Sequence, residues 1–428
     1  MHKKRSNLCK TALIGFSLLF SPMTLAQSVT LTLDNAPRAT ITPDQVGGFN
    51  FGNFMNVVDF QQDLLKVAPQ VIRFPGGNIG DERNLLEADL NILKSNWILL
   101  GKPKIVIQTR VFARPNDKDP ANTPEGAANL VKMAKDMDIP VWYWEIGNEP
   151  DLYSVTRADP TWTAERYCDT FRGQREAMLK VDPSIKFVGP SISGAGYRNF
   201  VEGFVKKCGD IVDVLSWHIY PTDGSKTDAE ALKTVELGSD DLTFYKNLWK
   251  DPERNPLGHQ RQIEFGITEY GLSWKSPNYK HLTDQVAGLW TTETLLRMAE
   301  GGVKLLNYFA LQGTQGHGII GDDYLYRPTY YAFRLLRDFH GTSLGLASSD
   351  PEVWSHAVER DGTLQVILMN TSTAPKTVGT DFAGWKLAGS AGFTEKTVKD
   401  EEDYFQLPLQ SSIELPARSM VKLTYSRL

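Results

Sequence analysis

The sequence predicts an α/β protein: a closed (β/α)8 TIM barrel followed by a C-terminal all-β sandwich domain whose sheet an N-terminal strand completes. Three observations predict it. Eight apolar segments alternate with eight segments of helical periodicity between Val46 and Phe339, and strands apolar on both faces belong to parallel sheets covered by helices. After His340-Gly341 the period shortens to alternating runs separated by Gly, Ser, Asp and Pro, as over 363–369 and 419–425, which is an all-β pattern. The alternating segment Val29-Thr30-Leu31-Thr32-Leu33 precedes the barrel and has no barrel partner, so it suits an extra strand of the C-terminal sheet. The chain divides accordingly into a leader (1–26), the N-terminal strand (27–42), the barrel (43–340) and the β-sandwich (341–428).

The elements follow in order. The barrel opens with a strand over 46–51 and a short amphipathic helix near 59–67. Strand 71–74 is closed by Pro75-Gly76-Gly77-Asn78, and a helix over about 82–99 leads to strand 105–111. Thr123 as N-cap and Pro124 at the first helical position start a helix that runs to 137. The fourth strand, Val-Trp-Tyr-Trp-Glu-Ile from Val141, has aromatic strand propensity and breaks at Gly147 and Pro150. Helix 164–180, strand 186–189, helix 198–208, strand 212–220 and helix 242–249 come next. The seventh strand, 263–270, ends in Glu269. A helix over 284–300 stops at Gly301-Gly302, and strand 303–311 and helix 330–339 close the set.

The first residues carry Lys3, Lys4, Arg5 and Lys10, then an apolar run over 11–20, then Thr24-Leu25-Ala26. This is the layout of an export signal cut after Ala26, which predicts a secreted or periplasmic protein. The run is too short to span a bilayer, and Cys9 precedes it, so it is no lipid acceptor. Removing residues 1–26 takes away four positive charges and no acids, so the net charge goes from −5 to −5 − 4 = −9. Such a balance disfavours nucleic acid and acidic membrane surfaces as partners. Cys168 and Cys208 remain; in an exported protein they are either one disulfide between neighbouring helices or two buried thiols. Without a His cluster they make no zinc site. Neither a cofactor nor a metal is expected, and the oligomeric state is not read from the chain.

Chemistry concentrates at two strand ends. Asn148-Glu149 end the fourth strand and Glu269 ends the seventh, and in such barrels the active site lies at the C-terminal ends of the strands. A general acid near neutral pH needs a raised pKa, which burial supplies. Two carboxylates facing each other across the mouth suit a retaining glycosidase, with a separation of about 5–5.5 Å. Glu149 would then protonate the leaving oxygen and later activate water, while Glu269, kept ionised, attacks the anomeric carbon. The substrate is a carbohydrate.

Asn148-Glu149-Pro150 after an apolar strand, with Glu269 ending strand seven, resembles clan A of the glycoside hydrolases, a retaining group built on this barrel. The resemblance implies that Asn148 holds the sugar 2-hydroxyl, that Arg73 at the end of strand two lies near the nucleophile, and that Tyr220 in Trp217-His218-Ile219-Tyr220-Pro221 hydrogen-bonds the nucleophile while His218 lines the pocket. A β-domain built from both chain ends is similar to α-L-arabinofuranosidases, β-xylosidases and the β-glucuronidase and heparanase group. Glu-Ile-Gly-Asn-Glu-Pro-Asp-Leu-Tyr looks closest to the last group, and Arg-Phe-Pro-Gly-Gly-Asn leans towards the arabinofuranosidases.

Other residues have plainer readings. Glu145 belongs deeper in its strand as a hydrogen-bonded structural group, and Glu264 opens its strand at the wrong end of the barrel. Trp142 and Trp144 are packing residues. Trp274, just after the nucleophile, is either a sugar platform or packing. Gln312 and His317 lie beyond strand eight within reach of substrate, and the acidic run 400–403 is a solvated loop. The loops 115–123 and 222–241 are long enough to wall a cleft, which would suit internal attack on a polysaccharide. A decayed barrel that only binds carbohydrate would have lost one of the two glutamates. Asp210, Asp213 and His218 make a poor metal set, and Pro190-Ser191-Ile192-Ser193-Gly194 lacks the first Gly of a nucleophilic-serine elbow.

Overall fold

Eight short parallel strands close into a barrel in chain order in this computed structural model, which describes residues 28–52, 57–112 and 123–428. After β1 (Leu31–Ile41) the barrel strands are β2 (Gly48–Asn50), β3 (Val71–Phe74), β4 (Lys104–Thr109), β5 (Val141–Ile146), β6 (Phe187–Ile192), β7 (Val214–Ile219), β8 (Glu264–Tyr270) and β9 (Leu305–Tyr308), with β9 paired back to β2. Period-two alternation sorts their side chains. Val71, Val106, Tyr143, Val188, Val214 and Leu305 form an apolar cluster of their own, the floor of the barrel interior. Their neighbours Ile72, Ile105, Trp144, Phe187, Leu215 and Leu306 join the large cluster shared with the surrounding helices. Two residues beyond the floor come Arg73, Gln108, Glu145, Ser216 and Asn307, all buried. The interior therefore changes from apolar to polar on the way to the mouth, and the strand ends deliver their side chains onto that polar layer.

Several boundaries differ from the sequence expectation. Val46 lies in the helix Pro43–Val46, whose Thr42–Gln45 capping box takes it out of the first strand. The helix expected over 82–99 is two, Ile79–Glu82 and Glu87–Leu99, because the Leu86 N–H bonds to the Asp89 carboxylate and starts the second helix afresh. The stretch 222–241, read as a loop, is largely helical: Asp228–Lys233, then Val235–Lys250, which begins before the expected 242. Thr227 caps the first of these by accepting from the Glu230 N–H, and the Glu230 carboxylate accepts from Thr227 in return. The leader 1–26 and most of the loop 115–123 lie outside the described residues. Among those described, no helix is long and apolar enough to cross a membrane. Cys168 and Cys208 form a disulfide that ties helix Ala164–Val181 to helix Arg198–Cys208 across β6.

Beyond the barrel and the short parallel pair β10 (Gln312–Gly313) and β11 (Ile320–Gly321) come β12 (Gly341–Ser348), β13 (Val353–Arg360), β14 (Thr363–Asn370), β15 (Lys376–Gly379), β16 (Trp385–Phe393), β17 (Ser412–Leu415) and β18 (Ser419–Arg427). Six strands make one antiparallel sheet in the order β1-β12-β13-β14-β18-β16, so the N-terminal strand does complete it, at an edge. Along β14, Leu364, Val366 and Leu368 face the pair β15–β17, while Ile367 and Met369 join the barrel's cluster. The sheet thus has a thin second layer on one side and the barrel on the other. The barrel element beneath it is the helix Gln285–Glu300, in which fourteen of sixteen residues are buried. His356 on β13 pins the two lobes together, 2.9 Å from Glu293 and 3.2 Å from Glu300 of that helix.

Candidate active site

Arg73 organises the polar end of the barrel. Fully buried on β3, it donates from Nε to Glu145 Oε2 (2.5 Å), from Nη1 to Glu269 Oε1 (2.7 Å) and Asn50 Oδ1 (2.9 Å), and from Nη2 to Asn148 Oδ1 (2.8 Å). One guanidinium therefore spans β2, β3, β5 and β8. Only a planar five-donor fork satisfies so many acceptors from fixed backbone positions. Glu145 is the buried structural acid expected, held on its other oxygen by Ser191 Oγ at 2.5 Å.

Glu269 reaches this network because β8 bulges. Trp217 pairs with Ile267 but His218 pairs with Glu269, so Thr268 is an extra residue and both Thr268 and Glu269 face inward. Glu269 Oε2 accepts from the Tyr220 hydroxyl at 2.9 Å. Burial alone would raise this carboxyl, but His218 and Arg73 beside it, with the Arg73 and Tyr220 hydrogen bonds, hold it below the usual carboxylate range. His218, also fully buried, is pulled down by burial yet raised above its ordinary value by Glu269 and Glu149.

Glu149 sits opposite. Its backbone is left-handed, φ 46° and ψ 48°, a conformation that costs a non-glycine residue about 1 kcal/mol or more and clusters at functional sites. His218 Nδ1 lies 2.9 Å from Glu149 Oε1 and 3.8 Å from Glu269 Oε2. One oxygen from each glutamate and one His218 nitrogen all fall within 4.8 Å of one another. The same three atoms are the one group among the described residues with metal-ligand spacing. Arg73 and Tyr220 already donate to both Glu269 oxygens and Arg73 brings its own positive charge, so the donor set suits a hydrogen-bonded carboxylate pair rather than a cation.

Both glutamates open into a cavity of about 710 Å³ walled by Asn148, His218, Tyr220, Trp274, Phe309 and His317 among others. Asn148 Nδ2 is buried in that wall with no partner of its own. Trp274 is 53% exposed, with the Lys275 ammonium 4.2 Å from its ring centre and its carbonyl 3.1 Å from His317 Nε2. Leu237 and Asp241, from the helical stretch mistaken for a loop, form part of the wall. Gln312 does not line the cavity; it sits in β10, paired with Ile320. Arg73 lies behind the cavity wall and acts on Glu269 from beneath. Trp144 is buried packing, and Glu264 accepts from the Tyr143 hydroxyl at the opposite end of the barrel.

Sequence reading missed Asn50, Ser191, Tyr197, Leu237 and Phe309. Asn50 carried a signal, an amide at the end of an otherwise apolar strand. Phe309 and Tyr197 carried none, being aromatics in loops rich in them.

Residues 127–360 match the family model described as Glycosyl hydrolases family 39. A curated protein, the beta-xylosidase of Caldicellulosiruptor saccharolyticus, is 20% identical over 309 residues, covering 68% of this chain and 61% of that protein. The chain thus spans about three-fifths of that relative. Among solved structures, the alpha-L-arabinofuranosidase from Thermotoga maritima superposes with a TM-score of 0.71 at 15% identity, covering 94% of this chain and 100% of the other. A Paenibacillus polymyxa xyloglucanase from glycoside hydrolase family 44 gives 0.68 at 14% identity, with coverage of 94% and 100%. At these identities the two structures share the fold, a barrel with an attached β-lobe.

Proposed function

Because the chain belongs to glycosyl hydrolases family 39, we propose that it cleaves O-glycosidic bonds of a neutral oligo- or polysaccharide by double displacement, with Glu269 as nucleophile and Glu149 as acid/base. The observation that carries this reading is the pair of carboxylates within 4.8 Å at the barrel mouth, one of them braced by Arg73 and Tyr220. That close approach supports the narrower of the two carboxyl spacings glycosidases use, the one that goes with retention. In the first step Glu269 bonds to the anomeric carbon while Glu149 gives its proton to the departing oxygen. In the second, Glu149 takes a proton from water, the water oxygen bonds to the same carbon, and Glu269 leaves as a carboxylate. The free Asn148 Nδ2–H is placed to donate to a sugar hydroxyl, the role the clan A resemblance implies.

Neutral sugars are favoured by charge. Among the described residues no Lys or Arg lines the cavity, so a uronate would find no cation there to pair with its carboxylate. The beta-xylosidase relative makes β-xylosides the first substrates to try, with α-L-arabinofuranosides second. Export is part of the same reading, supported by the N-terminal layout and by the disulfide. The test is to follow hydrolysis of aryl β-xylosides and α-L-arabinofuranosides by NMR, and then to trap the intermediate with a 2-deoxy-2-fluoro glycoside. Retention in the first-formed sugar and a label on the peptide containing Glu269 are expected; inversion, or a label elsewhere, would sink the assignment.

A further inference from the structure

Beneath the acid/base lies a hydrogen-bond chain whose donors do not add up unless one more proton is present. The Tyr153 hydroxyl is 2.6 Å from Asp81 Oδ1 and 2.8 Å from the Asn148 carbonyl oxygen. Tyr153 is fully buried, and burial above all holds its phenol well above its ordinary range, so it keeps its one proton. One hydrogen shared between two acceptors makes two long, weakened bonds, not two contacts this short. If Asp81 were a carboxylate it would take that hydrogen, and the phenol oxygen would face the Asn148 carbonyl lone pair to lone pair at 2.8 Å. If Asp81 is a neutral acid, Oδ1–H donates to Tyr153, Tyr153 donates to Asn148, and both short contacts are satisfied.

We propose that Asp81 carries a proton and acts as a positioning residue: through Tyr153 it holds the Asn148 carbonyl, and so fixes the peptide that aims Glu149. That peptide is clamped at both ends, since the Glu149 N–H donates to the Ser191 carbonyl at 3.0 Å. The clamp matters because Glu149 is in a left-handed conformation that an unrestrained glutamate would leave. The proposal rests on the acid/base role given to Glu149 above.

The surroundings agree. Asp81 is completely enclosed, and its Oδ2 has no hydrogen-bond partner. The charged and titratable groups around it are Arg157, Glu82, Tyr153, Glu149 and Arg73. Arg157, the cation that could ionise it, approaches only to 3.8 Å and is engaged by Glu82, the residue next to Asp81 in the chain. Burial pushes the Asp81 carboxyl up to about 8; Tyr153 and Arg157 oppose that, and Glu149 adds to it. Above that pH the Tyr153 hydrogen swings to Asp81, and the Asn148 carbonyl loses its donor.

The test compares Asp81→Asn with Asp81→Ala on aryl glycosides. Asparagine donates to Tyr153 as the neutral acid does but does not titrate. The ratio of Asp81→Asn to wild-type kcat is expected to be near one at about pH 6 and to climb severalfold by about pH 9.5. Asp81→Ala removes the competing acceptor and leaves Tyr153 donating to Asn148 alone, so whatever it loses in kcat should be constant with pH, without the wild-type fall above about pH 8. A ratio flat with pH, or an alanine variant that keeps the wild-type fall in kcat above about pH 8, overturns the proposal. Wild-type inactivity on every glycoside, or full activity in Glu269→Ala, would instead fault the glycosidase reading. An infrared difference spectrum of wild type minus Asp81→Asn tests the proton independently of turnover: a neutral carboxylic acid band at about pH 6 supports it, and a carboxylate band overturns it.

Discussion

His356 offers a stability experiment whose sign and size both follow from the structure. Burial would push this imidazole down, yet Glu293 and Glu300 carry it up to about 10 from an ordinary 6.5. A pKa raised on folding contributes stability that is present in full below 6.5 and lost as the pH rises through about 10. Spread over that interval, about 1.4 kcal/mol per pH decade gives a ceiling near 5 kcal/mol. Removing one partner of a buried pair costs about 3–5 kcal/mol, because the other charges stay buried. Here Glu293 keeps Arg297 at 2.6 Å and Glu300 keeps Ser343 at 2.8 Å, so about 4 kcal/mol is a fair figure for His356→Gln at about pH 6. With an unfolding entropy near 2.1 cal/mol/K per residue and about 400 folded residues, that lowers Tm by about 5 °C. Calorimetry of both proteins at about pH 6 and about pH 10 should show the gap closing at the higher pH, where wild-type His356 is losing its charge. A gap that is constant with pH, or widest at pH 10, refutes the reasoning.

The catalytic assignments can be separated by leaving group. Glu149→Ala should lose about 10²–10⁴-fold on poor leaving groups and much less on dinitrophenyl glycosides, whereas Glu269→Ala should be inactive on both; steady-state kinetics decide. Tyr220→Phe removes one of the donors that keep Glu269 below 4.5. Its carboxyl pKa is lowered on folding, so activity falls as the pH drops through that lowered value, and the acid limb of kcat/KM should move up toward 4.5 in the variant. An unmoved limb would remove Tyr220 from the account. The Cys168–Cys208 link closes a segment of 40 residues, for which chain entropy predicts about 4 kcal/mol; a double Ser variant with unchanged thermal stability would contradict it.

Much of the site could be read from the chain because strand ends announce themselves. Glu149 and Glu269 stood out as acids closing apolar runs, and Arg73 as a cation inside one. Their partners did not stand out. Asn50, Ser191 and Asp81 matter only through contacts with residues 23 to 72 positions away, and no local pattern encodes such a pairing. The bulge that turns Glu269 inward is a register effect between β7 and β8, invisible to an alternation count. The stretch 222–241 reads as a loop unless Thr227 and Glu230 are recognised as a capping box that starts a helix. The family within the clan was not legible either, since the motifs that gave the clan away are those its members share.

The helix Gln285–Glu300 has a practical corollary. It is the next long helix after the strand that bears Glu269, and β1 and β18 of the sheet pack on it, with Met420 against Thr292. A truncated chain ending near residue 340 would strip Met420 from Thr292 and His356 from Glu293 and Glu300, opening a helix that is buried along almost its whole length. The β-lobe is therefore not a detachable appendage, and a shortened version should aggregate rather than yield a smaller working enzyme.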